Sequence, residues 1–302
     1  MRAAAAVTQR AAALDAWARR AAPLLPGLFV VLWSTGFIAA KYGLPFAPPL
    51  EFLLVRFALV ASLMMLVAFA TRATWPRDRR QIAHIAVAAW LVHGVYLGGV
   101  FIAIAAGMPA GTSAMLVGLQ PILTVFLARA WLGERISRLQ WAGLVLGLVG
   151  VYFVVRHKIG LGGDATALVA VLAALVGISV GTLYQKKHCA HVDLRSGAVV
   201  QFSACALLYA AMVALAGWHP IDWTPQFLFA LGWSVIVLSV GAISLLYWLL
   251  RHGAAADVAR LFYLVPPVTA LMAFALFGER LDALALAGMA LIAVGVALAR
   301  RR

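Results

Sequence analysis

The sequence predicts an all-α membrane protein, with ten transmembrane helices in two inverted five-helix repeats. Three observations carry that prediction. Of 302 residues, 65% are hydrophobic and 11% charged, with a mean hydropathy of +0.99; soluble domains average about a quarter charged residues. The apolar residues gather into ten runs near the roughly 20-residue length that crosses a bilayer core. Finally, a set of residues recurs at a constant displacement of 145 positions.

The chain begins with a basic segment, 1–26, in which Arg2, Arg10, Arg19 and Arg20 are spread through alanine with Asp15 and Trp17. A signal peptide would need a compact apolar stretch and a cleavage site after its basic start. An amphipathic helix on the anionic inner leaflet is expected here, with a disordered cytoplasmic tail as the alternative. The ten apolar runs then follow at 27–44, 50–70, 82–106, 110–132, 138–155, 165–185, 196–216, 226–250, 255–277 and 283–299. They lack the two-residue alternation of a membrane β-barrel, and in lipid only helices and closed barrels satisfy every backbone group.

Charge sets the orientation. With the N-terminus inside, every one of the 24 basic residues except Lys41, Arg56, Arg156, Lys158 and Arg280 falls at the cytoplasmic face. Both termini are therefore expected in the cytoplasm of a bacterial-type inner membrane. The net charge of +14 is read in this way and not as a nucleic-acid interface. Two cysteines, Cys189 and Cys205, are too few for a disulfide framework.

The repeat divides the chain at 27–156 and 165–302. Gly133-Glu134-Arg135 recurs as Gly278-Glu279-Arg280; the same shift carries Ser34 to Ser179, Lys41 to Lys186, Pro121 to Pro266, Gly143 to Gly288 and Gly150 to Gly295. Five helices per copy is an odd number, so the second copy inserts upside down. Inverted repeats of this kind mark secondary carriers, whose substrate sites lie near the midplane where the halves meet. The Gly-Glu-Arg turns read as structural: Gly133 suits the left-handed position that closes a helix, and Ser137 to Gln140 has capping-box spacing for the next.

The residues Leu32-Trp33-Ser34-Thr35-Gly36-Phe37, Arg56, Pro121 and Gly133-Glu134 together resemble the drug/metabolite transporter superfamily, in its ten-helix group of two EamA-type repeats. The resemblance covers roughly residues 25–300. It implies a basket of helices around a central cavity and export of small metabolites or amino acids. The second copy departs from the pattern: Ile178 stands for the tryptophan and Gln201 for the arginine.

Candidate substrate-binding residues are Trp33, His93, Tyr96, Gln120, Ser244, Tyr247, Trp248 and Tyr263. Trp90, His93, Tyr96 and Val100 are spaced to share one face of the third helix. His93 is the titratable group nearest a helix midpoint, and ionisable residues inside a membrane are functional candidates. Pro121 and the Pro266-Pro267 pair are expected to kink the fourth and ninth helices; with Gly94, Gly98 and Gly99 they are the candidate hinges. Arg56 is assigned a structural or gating role, snorkelling outward or reaching Glu51. Helices 1, 3, 4, 6, 8 and 9 should line the path, with helices 5 and 10 bracing the rim. All ten acidic residues fall in loops or near span ends, so neutral or zwitterionic solutes and weak or absent proton coupling are expected.

Two other readings compete. Gly177-Ile178-Ser179-Val180-Gly181 matches the nucleophile-elbow pattern of hydrolases, but it falls inside an apolar helix, not at a strand-to-helix turn. A non-transporting scaffold shares the helix count but gives no reason for prolines at matching depths. His188-Cys189-Ala190-His191 with Asp193 is read as a charged loop and not as a zinc site, so neither metal nor cofactor is expected. The partners implied are a small-molecule substrate and the lipid bilayer. The Gly94–Gly98 and Gly143–Gly147 spacings allow close helix contact, within a monomer or across a homodimer.

Overall fold

In the computed structural model, residues 24–132, 137–159, 165–189, 192–252, 261–279 and 283–299 are described. The basic segment 1–23 lies outside them, as do Gly133, Glu134, Arg135, His191, Arg280 and Asp282. The described residues form ten helices, several of them broken, and no strand. Seven are long and apolar enough to cross a bilayer, and three hold shorter apolar stretches, Arg138–Phe153, Val265–Phe277 and Leu286–Leu298. In chain order they are α1 (Leu25–Gly43), α2 (Pro49–Ala70), α3 (Arg79–Ala89, Trp90–Val95, Tyr96–Ala105), α4 (Ala110–Val117 and Gln120–Leu132) and α5 (Arg138–Ile159). The second half holds α6 (Ala165–His188), α7 (Leu194–Ala216), α8 (Pro225–Gly232, Trp233–Ala242, Ile243–His252), α9 (Val265–Phe277) and α10 (Ala283–Ala299).

Local chemistry sets the helix ends. Prolines open α1, α2 and α8, where the missing N–H costs nothing. Asp78 caps α3 by accepting from Arg80 N at 3.0 Å, and Asp193 caps α7 by accepting from Arg195 N at 2.9 Å. The expected capping box at α5 forms: Gln140 Oε1 accepts from Ser137 N at 2.8 Å, and Ser137 Oγ accepts from Gln140 N at 3.3 Å. Gly278 closes α9 at φ 65°, the left-handed conformation expected of its repeat mate Gly133.

Helix packing follows the repeat. α2 packs on α7, α4 on α9 and α5 on α10, each pair being its own mate under the 145-residue shift; α3 on α6 has its mate in α8 on α1. The reciprocity extends to single atoms. A methyl group at Gly150 would sit 2.6 Å from the Gly288 carbonyl oxygen, and one at Gly295 would sit 2.5 Å from that of Gly143. The Gly143–Gly147 spacing thus serves contact within one chain. Outward faces carry large apolar side chains, among them Leu207, Leu271 and Leu215, the last 90% exposed. Such surface fits lipid and not water.

Two helix irregularities depart from the sequence expectation, and both obey the repeat. α3 and α8 each contain a π-helical stretch, Trp90–Val95 and Trp233–Ala242. The wider turn breaks the regular face expected for α3: Trp90 turns away to donate from Nε1 to Ala204 O at 3.0 Å and is 42% exposed. The second departure concerns the prolines. α4 is interrupted at Gly118 and Leu119, and α9 follows a turn at 262–264. Pro121 and Pro266 therefore lie in the first turns of fresh helical pieces, where no intrahelical bond is lost. They mark breaks, not kinks.

Candidate functional site

Between the halves lies a cavity of ≈ 1190 Å³. It is lined by α1, α3, α4, α6, α8 and α9 as expected, and also by α2, α7 and, through Gln140, the first turn of α5, none of which the sequence reading placed on the path. Trp33, His93, Tyr96, Gln120, Ser244, Trp248 and Tyr263 all face it, as do Pro121 and Pro266. Pro267 lines a smaller cavity of ≈ 180 Å³ against α10. The side chain of Tyr247 lies outside the described residues. Gly94, Gly98 and Gly99 are turned away from the cavity into helix contacts: Gly98 meets Tyr209, whose hydroxyl donates to Gly94 O at 2.9 Å, and Gly99 meets Ala170 and Ala174. Their role is close approach of α3 to α6 and α7.

Towards one end of the bundle the helices are tied together. There Lys41, in the last turn of α1, is ion-paired to Glu279, which also accepts from Ala110 N at 3.1 Å and Gly111 N at 3.4 Å at the start of α4. Below this tie, Phe52 makes edge contacts with Phe101 and Phe227 at 5.1 Å each, all three rings fully buried. At the opposite end the lining runs out to Gln140, Gln185, Cys189, Leu194 and Arg195, and Leu194 is 54% exposed. On that side the cavity lining thus reaches solvent-exposed residues.

Asp193 holds the open rim. It accepts from Arg195 Nη2 at 2.7 Å and Nε at 3.1 Å, and from Thr74 Oγ1 at 3.2 Å, tying the α2–α3 loop to α7. The Arg195 guanidinium holds its carboxyl well below the usual carboxylate range. Nearby, His188 stacks on His84 at 4.4 Å, and His84 Nδ1 bonds the Tyr184 hydroxyl at 2.7 Å. Among the described residues no group of three His, Cys, Asp or Glu gathers to hold a metal.

Deeper in, an aromatic cluster of Trp33, Phe29 and Phe262 has centroids 5.1–5.4 Å apart. Phe262 was not singled out from sequence, because only the turn before α9 brings it inward. His93 Nε2 donates to Gln201 Oε1 at 3.4 Å and packs on Phe202 at 5.0 Å.

Arg56 faces the cavity, 7% exposed. The sequence reading has it snorkelling outward or reaching Glu51; among the described residues no hydrogen bond or ion pair joins it to Glu51. Glu51 is taken by His219, which donates from its backbone N at 2.9 Å and contacts the carboxylate through Nδ1 at 3.2 Å. Five residues on, Arg56 points to another side of α2. Its Nε has no partner among the described residues.

Ser179 is fully buried within unbroken α6, its hydroxyl donating to Leu175 O at 2.7 Å. A nucleophile elbow needs an exposed serine on a strand-to-helix turn, and this geometry is neither.

Ten apolar helices in two symmetry-related sets, enclosing a chamber with aromatic and polar walls, define a membrane carrier of the inverted-repeat class. The EamA-like transporter family matches residues 24–156 and 165–301, and the chain belongs to that family. A probable terminal-alkyne amino-acid exporter of Streptantibioticus cattleyicolor is 30% identical over 290 residues, 91% of this chain and 92% of that protein. A probable amino-acid metabolite efflux pump of Escherichia coli K12 is 27% identical, covering 89% of this chain and 91% of its own. The inner membrane transporter YedA of the same strain is 25% identical, with 93% and 91% covered. A crystal structure at 20% identity superposes with a TM-score of 0.61, covering 92% of this chain and 96% of its own, a likeness of fold.

Proposed function

We propose that the protein exports small amino-acid-like metabolites from the cytoplasm across the inner membrane by alternating access between its two halves. The chamber itself carries this reading: the Lys41–Glu279 pair ties the helices together towards one end, and the lining runs out to exposed Leu194 beside Asp193 and Arg195 at the other. A scaffold has no use for such a hollow. The distribution of basic residues supports a cytoplasmic position for the Asp193–Arg195 end, where a carrier loads its export substrate. Trp33, Tyr96, Gln120, Ser244, Trp248 and Tyr263 supply mixed aromatic and hydrogen-bonding walls for a solute with an apolar body and polar ends. The names of the relatives supply the substrate class, amino acids and their metabolites. Repeats at 27–156 and 165–302 form the two moving halves, and the breaks at Gly118–Leu119 and 262–264 are the joints.

The test is counterflow in proteoliposomes loaded with the twenty proteinogenic amino acids and read by mass spectrometry. Exchange of a subset supports the reading, and retention of all twenty overturns it. A reporter fused after Arg302 tests orientation: a signal from the cytoplasm is expected, and one from the periplasm reverses the assignment.

A further inference from the structure

We infer that Arg56 is the anion-binding residue of the chamber and takes the carboxylate of the transported solute. This rests on the carrier reading above and names the chemistry of its site.

Arg56 lies in the second turn of α2, 7% exposed, facing the cavity, with Nε unpartnered and no ion pair among the described residues. Arginine keeps its charge in proteins. A cation at membrane depth costs several kcal/mol unless something compensates it. The acids of the described residues are committed elsewhere. Glu51 is held by His219, Glu279 by Lys41 and Asp193 by Arg195, while Asp78 caps α3 and Asp222 is exposed between α7 and α8. A protein that only needed a packed helix would pair or replace this residue.

The repeat sharpens the point. Position 201 is the mate of position 56, and α7 packs on α2, so both side chains face the same chamber. Gln201 is neutral and bonded to His93, also in the chamber wall. The pseudo-two-fold symmetry is therefore kept in the backbone and broken in charge. A solute held between these positions meets a fixed cation on one side and a neutral amide with an imidazole on the other. A guanidinium fork matches a carboxylate through two parallel N–H···O bonds. The remaining walls near it, Trp33, Tyr96 and Phe202, suit an apolar body. The chemistry selects amino acids with apolar side chains and similar monocarboxylates.

The experiment uses the full chain in proteoliposomes and, for binding, in detergent. Counterflow first identifies which of the twenty amino acids move; isothermal titration then compares each of these with its carboxamide, which keeps the amine and side chain and loses the negative charge. On the wild type, the amide is expected to bind at least tenfold more weakly. Arg56→Gln should lose at least tenfold in affinity for the acid and little for the amide, with Arg56→Lys between. Equal binding of acid and amide by the wild type overturns the assignment even if Arg56→Gln fails to fold. So does a folded Arg56→Gln that binds the acid unchanged. If the wild type moves none of the twenty, the carrier reading falls and this assignment with it; if it moves amides as readily as acids, only the assignment falls.

Discussion

Lys41 and Glu279 are ion-paired across 238 positions of sequence, joining the end of α1 to the second residue after α9. Glu279 is 8% exposed at its side chain and also receives two backbone N–H groups from the start of α4. Three helices that line the chamber are thereby tied at one point. A carboxylate at a helix N-terminus is further favoured by the helix dipole.

Breaking this tie should loosen that end of the bundle. Lys41→Met leaves Glu279 with its backbone donors but without its cation, and should cost about 1–2 kcal/mol in thermal unfolding. With Cys189 and Cys205 replaced by serine and Ala114→Cys placed in the chamber wall, an impermeant maleimide added on the Lys41 side should label faster in Lys41→Met than in its parent. Equal labelling rates would show that the tie does not hold that end shut.

The contact of Gly98 with Tyr209 predicts a suppressor. A methyl group at Gly98 would overlap the Tyr209 hydroxyl, while the ring carbon bearing that hydroxyl is 3.5 Å away. Gly98→Ala should cost about 1–3 kcal/mol by overpacking. Tyr209→Phe alone loses the bond to Gly94 O and should cost about 1 kcal/mol. Together they should cost less than the sum, because removing the hydroxyl opens the space the methyl needs. Unfolding midpoints of the four proteins close the cycle, and strict additivity would refute the contact.

The parts legible in the sequence were those that repeat or punctuate: apolar runs, the 145-residue shift, the Ser137–Gln140 box, and the chamber-facing set from Trp33 to Tyr263. Each is a local pattern with a fixed physical reading. The π-helical stretches were not legible, since the extra residue per turn is set by how α3 and α8 pack and not by any local motif. Nor was the isolation of Arg56, which depends on where Glu51 finds a partner 168 residues away in His219. The prolines were read as kinks because sequence fixes their depth but not whether the helix has already broken before them.

Asp193 carries a pH prediction. Its carboxyl titrates below the ordinary value of 3.8 because Arg195 and Thr74 bind the ionised form. A depressed folded value means that the stabilisation is fully present above the unfolded value and is lost as pH falls through the folded one. Asp193→Ala should therefore destabilise by about 1 kcal/mol, chiefly through the lost α7 cap, by the same amount at pH 5 as at pH 8. The gap between variant and parent should narrow only below pH 3.8. A gap that shrinks between pH 8 and pH 5 would show that another group governs it.

The last prediction concerns the α5–α10 contact, where the repeat is most exact. Gly150 faces the Gly288 carbonyl and Gly295 faces the Gly143 carbonyl, at 2.6 and 2.5 Å from the added methyl. In both cases the obstacle is backbone, which cannot rotate aside as a side chain can, so alanine must push the helices apart. Gly150→Ala and Gly295→Ala should each cost about 1–3 kcal/mol, Gly150→Ala the more, because its methyl also meets the Ile292 side chain at 2.8 Å, where the mate position opposite Gly295 is Gly147. The double variant should cost clearly less than the sum, since helices already spread by one methyl accommodate the second. Thermal unfolding of the three variants in the same detergent decides it: equal single effects would mean that Ile292 yields without cost, and full additivity would mean that the helices do not separate.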